Sequence, residues 1–82
     1  MNRHARVLRA IRQVIEANTN NSANSREVAA YMGTGDALDI AQAMRDLERE
    51  GCVLLLAGTF ASDNVTVERI TRHGLLESDN PL

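Results

Sequence analysis

Aromatic side chains are almost missing from this chain: Tyr31 and Phe60 are the only two, and there is no tryptophan. Any core must therefore be aliphatic. Lysine is absent, so all nine basic side chains other than histidine are arginines. Cysteine is reduced to Cys52, which excludes an internal disulfide and fits a reducing compartment. Long apolar runs are missing too. The longest, residues 52–57, has six residues, where a membrane-spanning helix needs about 20. The N-terminus interleaves Arg3, Arg6, Arg9 and Arg12 with apolar residues and has no unbroken apolar stretch, so it does not read as a secretory signal. The expectation is a soluble cytoplasmic protein.

The 82 residues present are enough for a single small domain, 1–82, whose core is near the lower limit for independent stability. Such a chain gains from forming a homodimer. The net charge of −2 hides an asymmetry. Up to Gly35 there are five arginines against Glu16 and Glu27; from Asp36 onward there are four arginines against nine acids.

Residues 36–51, DALDIAQAMRDLEREG, read as the central helix. Asp36 is a good N-cap, and Asp39 stands where the reciprocal partner of a capping box sits. Gly51 suits the left-handed position that closes a helix. At about 100° per residue, Ile40, Ala43, Met44 and Leu47 share one face, and Leu38, Gln42, Arg45 and Arg49 share the opposite one. The first face predicts a core contact, and the second is free to meet a partner.

Helical spacing also predicts a first helix over 3–17. Val7, Leu8, Ile11, Val14 and Ile15 form its apolar stripe, and the four arginines spread over the other side. That arginine side reads as a solvated face, a phosphate-facing surface or a site for an acidic protein. Residues 18–25, NTNNSANS, read as a loop, with Ser25 as the N-cap of a second helix over 26–32. In that helix Val28, Ala29 and Met32 should face inward, and Tyr31 should lie at the core's edge. After Gly51 the period changes. Residues 53–57 and 65–70 read as two strands joined by the loop 58–64, and Thr71 can start a short last helix over 72–77. The tail 78–82 is expected to be loose.

The sequence offers no catalytic arrangement. His4, His73 and Cys52 have no metal-ligand spacing and form no nucleophile–base pair, so no enzyme, metal or cofactor is expected. His4 reads as a helix-end residue and Cys52 as a packed small hydrophobe. Gly33 and Gly35 lack the lysine of a phosphate loop. The basic first helix lacks Trp and Phe and needs its apolar face for the core, so no membrane contact is expected.

The fold class is thus α+β: three helices, a β-hairpin and a short C-terminal helical turn. Three stretches carry a likeness to known proteins. They are SREVAAYMG in the second helix, IAQAMRDLEREGCVLLL from the third helix into the first strand, and VTVERITRHG ending the second strand. In this order the chain resembles the winged helix-turn-helix domain of small prokaryotic regulators, the ArsR-like and MarR-like group, over about residues 5 to 77. The resemblance implies binding of double-stranded DNA, with the third helix in the major groove and the 58–64 wing along the backbone or minor groove. Gln42, Arg45 and Arg49 would then read or position on the major groove, with Leu38 outward beside them. Arg26 would reach phosphate from the start of the second helix, and Arg69 and Arg72 from the wing's base.

One feature speaks for another partner. Asp36, Asp39, Asp46, Glu48 and Glu50 outnumber the arginines of the third helix, whereas a DNA reader normally shows a basic footprint. The alternative is a winged-helix interaction module, of the kind found as phage or plasmid accessory proteins. It would bind another protein through its acidic third helix or its arginine-rich first helix.

Overall fold

The computed structural model describes residues 3–56 and 63–79. The order is α1 (Arg3–Ala17), β1 (Ala23–Asn24), α2 (Ser25–Tyr31), α3 (Ala37–Arg49), β2 (Val53–Leu55), β3 (Thr66–Ile70) and α4 (Arg72–Asp79). It is an α+β arrangement of four helices and a three-stranded antiparallel sheet in the order β1-β3-β2. The two hairpin strands pair with each other, Val53 opposite Ile70 and Leu54 opposite Arg69. A bulge between Leu54 and Leu55 then brings Leu55 opposite Val67.

Helical spacing fixes the core. Val7, Leu8, Ile11 and Val14 of α1 and Ile40, Ala43, Met44 and Leu47 of α3 are all buried, and Ile15 packs at the margin. Val28 and Ala29 of α2, Cys52, Val53, Val65 and Val67 also belong to this interior, which among the described residues holds no buried aromatic ring. Tyr31 lies farther out than a core-edge position implies, 60% exposed. Alternation turns Leu54 of β2 away from the core, and Leu56 just beyond the strand is exposed as well, so residues 52–56 are not wholly buried.

Residues 18–25 are not all loop. Ala23 and Asn24 form β1, pairing with Val67 and Thr66 of β3. The N-cap of α2 is consequently Asn24 and not Ser25. Asn24 Oδ1 accepts from the Arg26 N–H at 2.9 Å, and the Glu27 carboxylate accepts from the Asn24 N–H at 3.1 Å. The Asn24 amide also donates across the sheet, to Asn64 Oδ1 at 2.5 Å and Thr66 Oγ1 at 3.0 Å.

Ser25 is fully buried and belongs to the hairpin's base. Its hydroxyl donates to the Asp63 carbonyl at 2.6 Å and accepts from the Val65 N–H at 3.0 Å, while its own N–H donates to the Val65 carbonyl at 2.7 Å. Ser25→Ala leaves a buried N–H without a partner and is expected to lower stability by about 1–3 kcal/mol. Urea unfolding checks this, and an unchanged midpoint would remove Ser25 from the support of the hairpin.

The other ends also differ from expectation in instructive ways. Asp36 does cap α3, accepting from the Asp39 N–H at 3.0 Å. The capping box is not completed: the Asp36 N–H donates to Thr34 Oγ1, and the Asp39 carboxylate is taken by Arg3. Gly51 closes α3 at φ +80°, a conformation open to glycine at little cost. Thr71 caps α4, its hydroxyl accepting from the Gly74 N–H. The helix runs to Asp79, past the expected end at 77, so the tail 78–82 begins as helix. Residues 80–82, and most of the 58–64 loop, lie outside the described residues.

Candidate nucleic-acid interface

The α3 helix presents the side chains that its spacing selects. Leu38 is 47% exposed, Gln42 and Arg49 are exposed, and Arg45 is half-buried. With about 100° per residue, these four span about 60° of the helix circumference. No carboxylate falls within that span.

The acids of α3 occupy other positions, and each has a structural task. Asp39, Asp46 and Glu50 lie about a quarter-turn away, on the flank that meets the start of α1. There Arg3 donates to Asp39 Oδ1 at 2.5 Å and to the Asp39 carbonyl at 2.8 Å. His4 stands between two carboxylates, Nδ1 at 2.9 Å from Glu50 and Nε2 at 3.6 Å from Asp46. It therefore bridges α1 to α3 and is more than a helix-end residue. Glu48, on the other flank, accepts from the Leu55 N–H at 3.0 Å and ties α3 to β2. Asp36 serves as the cap. The helix is acidic by count, yet its outward strip is cationic.

The arginines expected at the site are not equivalent. Arg45 makes no ion pair among the described residues. Arg49 pairs with Asp46 one turn back along α3, a surface pair on a 76% exposed side chain. Such pairs contribute about 0–1 kcal/mol and exchange partners readily. Arg26 does not stand free at the start of α2. Its guanidinium lies 3.2 Å from Asp63 Oδ1, so it neutralises the one acid of the 58–64 loop.

Arg69 is exposed on β3, but it lines a cleft with Arg12, Ile15, Glu16 and Leu75, formed by α1, β3 and α4. The structure does not bring it to the outward strip of α3. Four of the six expected positions thus lie on α3 and Arg26 pairs with the hairpin loop, while Arg69 stands on the hairpin strand β3 and lines this cleft.

The placement of these acids was missed at the level of sequence, although part of its signal is there. Positions 39, 46 and 50 recur at helical spacing and form one stripe. Which residues meet that stripe depends on how α1 crosses α3, which no local pattern specifies. Among the described residues, no group of three or more His, Cys, Asp or Glu side chains could hold a metal, and no helix is long and apolar enough to cross a membrane.

The chain matches no protein-family model, no curated protein and no solved structure. The case for a function therefore rests on the geometry of the site itself.

Proposed function

We propose that this chain is a cytoplasmic winged helix-turn-helix regulator that binds double-stranded DNA. In this reading α3 enters the major groove and the β2–β3 hairpin lies alongside as the wing. One observation carries it: the outward strip of α3 offers Leu38, Gln42, Arg45 and Arg49 with no carboxylate among them. The five acids that argued against DNA lie outside that strip, beside Arg3, His4 and backbone N–H groups.

The chemistry assigns roles. Gln42 has the donor and acceptor pair that matches adenine, and Arg45 the fork that matches guanine. Arg49 and Arg26 exchange their surface carboxylates for phosphates, releasing counterions as they do so. Leu38 supplies apolar contact to a thymine methyl. A homodimer doubles this small footprint, and Leu75 and Leu76, both exposed on α4, give a second copy an apolar surface.

The test is fluorescence anisotropy on a duplex selected from a random pool, repeated at rising salt. Affinity should fall steeply, by about 0.9 in the log–log slope for each phosphate neutralised, with two chains bound per duplex. Arg45→Ala should weaken binding by about 1–3 kcal/mol and relax preference at a single base pair. Absence of any selected duplex at low salt would defeat the proposal. A one-to-one complex would defeat the dimer.

A further inference from the structure

The basic side of α1 is not a plain solvated face. Arg6, Arg9, Ala10 and Gln13 of α1 line a cavity of about 390 Å³ with Tyr31 and Met32 at the end of α2. A second cavity of about 220 Å³ adjoins it. Arg6 and Met32 also line this one, joined by Arg3, Val7, Thr34, Asp39 and Ile40. Through their shared walls the two form one groove beside α1. From Arg3 to Gln13 that helix rises about 15 Å, the length of a short docked peptide segment.

We infer that this groove binds an acidic peptide carrying an aromatic or aliphatic anchor. Charge complementarity sets the first requirement. Arg6 is exposed, makes no ion pair among the described residues and faces both cavities; Arg9, one turn on, lines the larger. The Arg6 guanidinium matches a carboxylate by paired hydrogen bonds, and Arg9 adds positive charge one turn along the same helix face.

The anchor follows from the opposite wall. Tyr31, 60% exposed, supplies a rigid ring with a polar tip, and the half-buried Met32 supplies an adaptable apolar surface. Tyr and Arg together are the side chains that most often dominate peptide and protein contacts.

The far end of the groove favours a peptide over a nucleic-acid strand. Asp39 lines that end, held by Arg3. A phosphate backbone running the full length would meet that carboxylate. A peptide places its acids only beside Arg6 and Arg9, and its anchor against Met32.

The groove is built from α1 and α2 and does not use the outward strip of α3. The inference therefore stands whether or not the chain binds duplex DNA.

The probe is a short fluorescein-labelled peptide with glutamates on one side of a phenylalanine and neutral residues on the other, beside its glutamine-for-glutamate counterpart. The glutamate peptide should bind the full chain and the glutamine peptide should bind about tenfold or more weakly. Arg6→Glu and Tyr31→Ala should each reduce affinity for the glutamate peptide by about tenfold, and the milder Arg6→Gln by less. Arg72→Glu makes the same charge change outside the groove and should leave peptide affinity intact. Equal losses in Arg6→Glu and Arg72→Glu would overturn the inference, because only net charge would then matter. Displacement of the peptide by a labelled oligo(dT) strand with the same variant dependence would assign the groove to nucleic acid instead. A fall in oligomeric state on Arg6→Glu, measured by sedimentation, would assign it to a second copy of the chain.

Discussion

Gly74→Ala is expected to destabilise this domain by about 2–3 kcal/mol, although alanine is the better helix former. Gly74 is buried in the first turn of α4. A Cβ built there overlaps the Cys52 carbonyl oxygen, and lies 2.7 Å from Ile70 Cγ2 and 2.8 Å from the Cys52 carbonyl carbon. Two of those three atoms are backbone, which cannot swing aside as a side-chain tip can. The same carbonyl accepts the Thr71 N–H at 2.9 Å, and the Thr71 hydroxyl donates to the Gly51 carbonyl at 2.6 Å. Moving Cys52 aside therefore disturbs the entry to α4 and the exit from α3 together. The intrinsic preference for alanine in a helix is worth about 1 kcal/mol in the other direction, too little to offset an overlap with fixed backbone. Denaturant unfolding with a circular-dichroism readout decides the sign. An equal or higher midpoint for Gly74→Ala would mean that α4 does not pack this closely on the start of β2.

Leu47→Ala should cost about 2–5 kcal/mol, in a domain whose total stability is expected to be about 5–10 kcal/mol. Leu47 is 1% exposed and lies in the cluster joining α1, α3 and the strands. Among the described residues no aromatic ring is buried, and large aliphatic side chains such as Leu47 fill the interior they form. The loss combines the transfer free energy of the removed methyl and methylene groups with the cavity left behind. The Leu47 carbonyl also accepts the Cys52 N–H at 2.9 Å in the turn closing α3, so relaxation into the cavity would strain that closure. The variant should unfold at markedly lower urea, and hydrogen exchange should speed throughout α3. A change below about 1 kcal/mol would show that Leu47 is not in a tightly packed interior.

These two positions also illustrate how far the sequence can be read. Leu47 lies on the apolar stripe of a helix whose period, cap and closing glycine are all local features, so its burial was legible in advance. So was the outward strip of Leu38, Gln42, Arg45 and Arg49, its geometric complement. Gly74 was not legible in this way, because its neighbour is a carbonyl twenty-two residues earlier in the chain. The β1 strand was missed for a related reason. Ala23 and Asn24 sit in a polar stretch of turn-forming residues and are extended because β3 lies beside them. Ser25 and Asn24 are both good capping residues by type. The contest was decided by the hairpin's base, which claims the Ser25 hydroxyl and leaves Asn24 at the helix end.

The candidate interface divides in the same way. Arg45 and Gln42 follow from periodicity alone. The cleft that Arg69 lines, the pairing of Arg26 with Asp63 and the engagement of Asp39, Asp46 and Glu50 by α1 all depend on how separate elements are set against one another.

By itself the sequence determined the helices, their buried faces, the two hairpin strands and the turn at Gly51, because these follow from side-chain period and from backbone preferences within a few residues. Only the tertiary structure decided that Asp39, Asp46 and Glu50 of the central helix lie beside Arg3 and His4 of α1, that a third strand exists, and that Arg6, Arg9, Tyr31 and Met32 share a groove. Those outcomes are set by contacts between segments far apart in the chain, and charge and hydrogen-bond partners across such distances leave no periodic mark in the sequence.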